Sequence, residues 1–411
     1  MRIFKFLLVF ILFLVLVCVA SFIPVPVYDF QQGKPFAGDY IYNPYDGIDS
    51  VSWRKANFHA HQREKPACDY TVDQFVEAYR LSGYDIIGLT DHNYINLERS
   101  ERQGFIPGYE HGYGINRHHH CVLGAEETWK FDFPVMLTQS QAQFIVNKLR
   151  PQGAALVLNH PGELRIVDHN LYTRLRGYDF IELNPERKPG IASPDIWDQA
   201  LSVGIYSSLI ADDDAHTITD RNRWFQRSFT MVNTPTYAPS DIIGSLKKGR
   251  AYGVYIPNEL NMSSDHHPAF PHVTGISFRG DTISVAVSEP AASVRFIGQG
   301  GATLAQFDGG DKGISGADYL FSHDDTFVRT EITFPDGIIF FLNPFVRTPD
   351  GAMPQNDFNG SVNYPLTILS ALGWAAAAVF LVICIVKLVR SPKKQRRNRK
   401  YSHLYKDVRP F

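Results

Sequence analysis

The chain has 411 residues, 44% of them hydrophobic and 20% charged, with a formal net charge of -2. That is enough apolar material for one large folded unit and a smaller one, and it excludes a disordered tail. The near-neutral balance supplies no global basic field to hold nucleic acid, so no nucleic-acid partner is expected.

Residues 6–23 carry no charge and follow Arg2 and Lys5. This pattern predicts a signal peptide or an uncleaved N-terminal membrane anchor over residues 1–27. Residues 28–260 are expected to form the main domain. Within it, Thr71 heads a stretch with Gln74 three positions on, Val72, Phe75, Val76 and Tyr79 on one face, and Gly83 beyond the end. That combination predicts a capped amphipathic helix of about 11 residues. Short apolar runs of strand type follow at 85–89, 154–158, 179–183, 204–210 and 229–233, with helical candidates near 140–149, 194–203 and 240–249. Strands alternating with helical crossovers argue for an α/β barrel rather than a sandwich.

After about residue 270 the pattern changes to alternating strands, with Gly280 and Asp281 at a hairpin turn and Ile283, Val285 and Val287 on one face. Residues 261–348 are therefore expected to form a small antiparallel β domain, with a spacer or partner-docking role, followed by a linker over 349–364. Its partner is not readable from the residues. Residues 366–386 are again uncharged, and at ~1.5 Å per residue they span a ~30 Å hydrocarbon core, so 365–389 is expected to be a transmembrane helix. Lys387, Arg390, Lys393, Lys394, Arg396, Arg397, Arg399 and Lys400 follow it. The positive-inside rule assigns this tail, residues 390–411, to the cytoplasm and everything between the two apolar segments to the other side. Only Cys68 and Cys121 lie in that exported region, too few for a disulfide framework; they could pair, but two unpaired, partly buried thiols near the site are expected.

Histidines and acidic residues collect where predicted strands end. His59 and His61 flank one residue, so on an extended segment both imidazoles face the same way. Asp91 and His92 follow the run at 85–89, and Glu110, His119, His160, Asp214 and His216 come after in segments that read IPGYEHG, RHHHCVLG, LVLNHP and ADDDAH. In a β/α barrel this is where loops present catalytic groups. Imidazole and carboxylate donors suit Zn, Mn or Fe better than Ca, and no matched cysteines suggest a closed structural zinc.

The series H-x-H, T-D-H-N, G-x-E, H-P and D-x-H, over roughly residues 54–255, resembles the PHP family, the polymerase and histidinol phosphatase domain of metal-dependent phosphoesterases. The resemblance implies a distorted (β/α)7 barrel of PHP type, flanked here by two hydrophobic membrane segments, with two or three divalent metal ions at the strand ends. It implies that His59, His61, Glu110 and Asp214 hold one ion, that Glu110, His119 and His160 hold a second, and that His92 and His216 hold a third. The family's further ligand soon after H-x-H has Asp69 as its nearest fit. G-x-E occurs at both Glu110 and Glu126; Glu110 is preferred because His119 then follows at a suitable distance. Asp91 or His111 would move protons, and Arg165 or Arg221, with Lys188 as a further candidate, would neutralise a phosphate.

These readings converge on an exported, membrane-tethered metal-dependent hydrolase acting on a phosphoester small molecule or lipid through a metal-bridged hydroxide. The same centre could attack carboxyl, carbamate or amide bonds, and a metal-stabilised envelope scaffold without catalysis is the alternative from another class.

Overall fold

A computed structural model describes residues 2–64, 67–115, 117–134, 138–163, 171–183, 193–219, 225–257, 260, 270–358 and 360–390. Two compact units are present, one made of Met1–Val25 with Tyr364–Phe411 and the other of Pro26–Asn363. In the first, helices α1 (Arg2–Ser21) and α6 (Tyr364–Arg390) are each long and apolar enough to cross a membrane. They run antiparallel: Lys5 Nζ donates to Val389 O at 3.3 Å, and the Phe22 and Trp374 rings lie 4.8 Å apart. The basic tail beyond Arg390 lies outside the described residues.

The second unit opens with β1 (Tyr28–Asp29), β2 (Tyr40–Tyr42) and β3 (Trp53–Asn57), then α2 (Val72–Leu81), β4 (Ile86–Leu89), β5 (Phe105–His111) and β6 (His120–Leu123). It continues through α3 (Gln139–Leu149), β7 (Ala155–Leu158), β8 (Phe180–Glu182), α4 (Ser193–Ser202), β9 (Ser208–Ile210), β10 (Ser228–Asn233), α5 (Pro239–Lys247) and β11 (Ala251–Tyr255). The remaining strands are β12 (Val273–Arg279), β13 (Thr282–Ala291), β14 (Ser293–Ile297), β15 (Thr303–Asp308), β16 (Ile314–Leu320), β17 (Phe327–Thr333), β18 (Ile339–Thr348) and β19 (Ser361–Val362).

Local sequence explains several of these boundaries. Thr71 Oγ1 accepts from Gln74 N at 3.2 Å while Gln74 Oε1 accepts from Thr71 N at 2.9 Å, so the capping box satisfies two backbone donors where α2 begins. Thr138 and Gln141 repeat the device at α3. Gly280 and Asp281 both take positive φ, 52° and 61°, as a two-residue hairpin between β12 and β13 requires.

The main sheet has 14 strands in the order β15-β14-β17-β18-β11-β10-β3-β4-β5-β6-β7-β8-β9, with β2 on β18. Parallel pairs join β3 to β4, β4 to β5, β7 to β8 and β8 to β9. The structure departs here from the run of parallel strands with helical crossovers expected of the sequence. β6 is antiparallel to β5 and β7, because residues 112–119 are too few for a parallel crossover, which needs about a dozen. The strand at Ser228–Asn233, expected to continue the parallel series, runs antiparallel to both β3 and β11. The sheet curls so that the segment after β9 returns to the segment after β3, where Ala60 bridges Ala215 and His61 N donates to Ala215 O at 2.9 Å. Among the described residues that return is a bridge and not a ladder. Inside the curl, Ala56, Ile86, Ile106, Leu123, Val157, Phe180, Ile210, Val232 and Ala251 make one core with Ile242, Ile243 and Leu246 of α5.

The later strands are antiparallel, as their alternation suggested. Three of them, β12, β13 and β16, form a separate sheet, whereas β18 pairs with β11 and carries β17, β14 and β15 as an extension of the main sheet.

A candidate metal centre at the strand ends

His59 and His61 lie just past the end of β3, with 1% and 0% of their surfaces exposed. Their Nε2 atoms stand 3.1 Å apart, and both face Asp214 Oδ1, at 3.3 and 2.9 Å. Glu110, the next-to-last residue of β5, is the hub. Its Oε1 lies 3.1 Å from His119 Nδ1, 3.1 Å from His160 Nε2 and 3.4 Å from His59 Nε2. Its Oε2 lies 3.1 Å from His92 Nδ1 and 3.3 Å from His61 Nε2. Four groups of ligand atoms, each within 4.8 Å of one another, result: His59, His61 and Asp214; His59, Glu110 and His160; His92, Glu110 and His119; and His61, Glu64, His92 and His216.

The donor chemistry fits divalent cations. Imidazole nitrogens and carboxylate oxygens turned on common points repel unless positive charge comes between them. His61 Nδ1 and Glu64 Oε2 are 2.7 Å apart, and His92 Nδ1 lies 3.1 Å from Glu110 Oε2. Burial alone would push His59 and His61 down; Asp214 foremost, followed by Cys121 and Glu110 at His59 and by Glu110 and Glu64 at His61, more than reverses this and holds both imidazoles well above the ordinary histidine value. Burial would raise the Glu110 carboxyl, but His119, His59 and His92 hold it well below the carboxylate range. At His92 and His216 burial prevails and lowers both, so the demand for positive charge centres on His59, His61, His119 and Glu110, where a metal ion can take the protons' place.

Backbone strain collects at the same point. His160, Asp214 and Asn93 have φ of 23°, 45° and 51°, a region L-residues seldom occupy. The three acids of ADDDAH divide their work. Asp212 Oδ1 accepts from Phe58 N at 2.7 Å and ties the end of β3 in place. Asp213 accepts from Tyr79 Oη at 2.8 Å, from Ala215 N and from Gln226 N. Asp214 alone of the three reaches the imidazoles.

Two residues that sequence reading did not single out take part. Glu64, three positions after His61, meets His61, His92 and His216, whereas Asp69 is exposed in the turn Ala67–Asp69 and belongs to none of the four groups. Glu182, at the end of β8, lies fully buried with Oε1 2.9 Å from His59 Nδ1, and Oε2 accepts from His160 N. The signal for it was a carboxylate inside an otherwise apolar strand. Glu126, the other G-x-E carboxylate, is exposed. His118 and His120 turn away from His119 and meet each other, ring centroids 4.3 Å apart.

Asp91 and His111 sit behind the cluster. Asp91 Oδ1 accepts from Gln62 N and Arg63 N, both at 2.7 Å, and so pins the loop after His61. His111 is buried, stacked on Trp129, with Nε2 2.8 Å from Phe131 O. Arg165, Arg221 and Lys188 lie outside the described residues. A cleft of about 700 Å³ opens over the cluster, with His92, Glu110, His119, His160, Asp214 and His216 at its base and Tyr113, Ile115, Arg117 and Glu163 around it.

No protein-family model and no curated protein matches the chain. A solved structure from Bacteroides vulgatus ATCC 8482, described as a two-domain protein containing a predicted PHP-like metal-dependent phosphoesterase, is similar over 77% of this chain and 99% of its own. The identity is 14% and the TM-score 0.36.

Proposed function

We propose that this chain is a metal-dependent hydrolase of phosphate esters, of PHP type, held at a membrane with its centre on the non-cytoplasmic side. The observation that carries the reading is Glu110: five imidazoles, from His59, His61, His92, His119 and His160, lie 3.1–3.4 Å from its two oxygens. Two or three divalent ions, Zn, Mn or Fe, are what such a donor set takes. Ions held there would activate water and offset charge on a phosphoester.

The chain's own residues supply the rest. Glu182 and Asp91 hold the two histidine segments in position, and burial of the cluster keeps bulk water from its lower side. Tyr113 and Ile115 are 59% and 62% exposed beside the opening, which favours an ester whose organic part is apolar, including a lipid. Full-length protein in detergent, loaded with Mn or Zn, should hydrolyse phosphate mono- or diesters in a panel that also contains carboxylate esters, carbamates and amides. Turnover confined to the acyl substrates would move the reading to the other bond class, and metal binding without any turnover would leave a scaffold.

The membrane reading rests on the antiparallel α1 and α6, which bring Lys5, Lys387 and Arg390 to one end. Cys68 is exposed. A membrane-impermeant maleimide should therefore label it in intact cells; labelling only after lysis would reverse the topology.

A further inference from the structure

The β5–β6 connection is built to carry something at the cleft. Gly112, with φ 131°, leaves room for His119: a Cβ there would come within 2.3 Å of His119 Cδ2. Asp132 Oδ2 accepts from Tyr113 N at 2.9 Å and from Gly114 N at 2.8 Å, and Gly114 fits close against Phe133 O, where a Cβ would come within 2.4 Å. The loop is thus anchored to the segment before α3. At its far end Arg117 takes φ of 54° and donates its backbone N–H to Gly114 O at 3.1 Å.

That left-handed turn puts the Arg117 side chain on the cleft that His119, His160 and Glu110 line. It is the one arginine or lysine lining the cleft among the described residues. Its Nη1 meets Glu163 Oε2, a carboxylate on the turn Pro161–Glu163 directly after His160 that is 9% exposed, whereas the Arg117 side chain is half exposed. The arginine side of this pair faces solvent and the carboxylate side does not. A guanidinium has five donors and can take a second anion on the edge that Glu163 leaves free, or exchange Glu163 for it.

We propose that Arg117 forms an oxyanion subsite in this cleft, taking the phosphate group of a substrate or product, with Glu163 as the resident carboxylate that the incoming anion displaces or competes with. The subsite deepens the phosphoester reading and rests on it for the identity of the anion. It assigns opposite roles to the two members of one ion pair, and that difference makes it testable apart from stability.

Inorganic phosphate is titrated calorimetrically into metal-loaded full-length protein, with metal content measured in parallel for each variant. Arg117→Gln should weaken phosphate binding by about ten-fold, the usual scale for losing a charge-assisted contact, while Glu163→Gln should tighten it several-fold, with metal content unchanged in both. Phosphate affinity that ignores Arg117→Gln, a shift of both variants in the same direction, or a wild-type chain that takes no phosphate would each overturn the subsite. Loss of metal from the wild-type chain would instead remove the phosphoesterase reading, and the parallel metal measurement separates the two failures.

Discussion

Glu182 Oε1 lies 2.9 Å from His59 Nδ1, and that pairing decides which face of the imidazole meets the Glu110 and Asp214 carboxylates. With Nδ1–H donating to Glu182, Nε2 keeps its lone pair toward the centre of the cluster. Glu182 therefore acts through His59. Glu182→Gln should keep the fold and lower metal affinity by about 10–100-fold, the usual cost of losing such an outer partner. Isothermal titration with Zn or Mn checks this, and unchanged affinity would remove Glu182 from the centre.

Away from the centre, Arg329 of β17 forks onto Asp198 of α4, Nε to Oδ1 at 2.6 Å and Nη2 to Oδ2 at 2.7 Å, with Glu331 on its third nitrogen. All three side chains are buried. Arg329→Met leaves the buried Asp198 carboxylate without its cation, and Glu331 with Arg295 alone, and should cost about 3–5 kcal/mol, whereas the double variant Arg329→Met, Asp198→Leu should cost less. Chemical denaturation of the variants measures both, and equal losses would contradict the ion-pair account.

A pH dependence follows from Lys55. Its amino group lies 4.1 and 4.3 Å from the Tyr84 and Phe229 ring centroids and donates to Ser82 O at 3.1 Å. Burial pushes it down to about 7 from an ordinary 10.5. Between those values the unfolded chain holds the proton more tightly than the folded one, so stability rises with pH across that window, and the full penalty stands below its lower edge. Lys55→Met should remove that slope and stabilise the protein at neutral pH. Parallel stability profiles for wild type and variant would contradict it.

Much of the local structure was legible because it depends on near neighbours. Thr71 and Gln74 specify their own capping box, and Gly280 with Asp281 specifies a turn, wherever the elements finally pack. Strand direction was not legible. An apolar run reads the same in either sense, and the antiparallel placement of β6 and β10 depends on connection length and on partners far along the chain. Among the site residues, His59, His61, His92, Glu110, His119, His160, Asp214 and His216 stood out because each is a coordinating type and most lie where a predicted strand ends, and the structure brings them together. Glu64 and Glu182 did not. The first sits in a polar loop where a carboxylate is ordinary, and the second is hidden within a strand. Arg117 was missed for a similar reason: its place depends on one left-handed residue, which no periodicity reports.

The central claim is that distant imidazoles and carboxylates gather around Glu110 to hold cations, and elemental analysis of full-length protein purified without chelator tests it most directly. Two or three transition-metal ions per chain are predicted, falling sharply in His59→Ala and Glu110→Ala while near-ultraviolet circular dichroism stays unchanged. A folded wild-type chain that holds no metal after exposure to Zn, Mn and Fe would contradict the account.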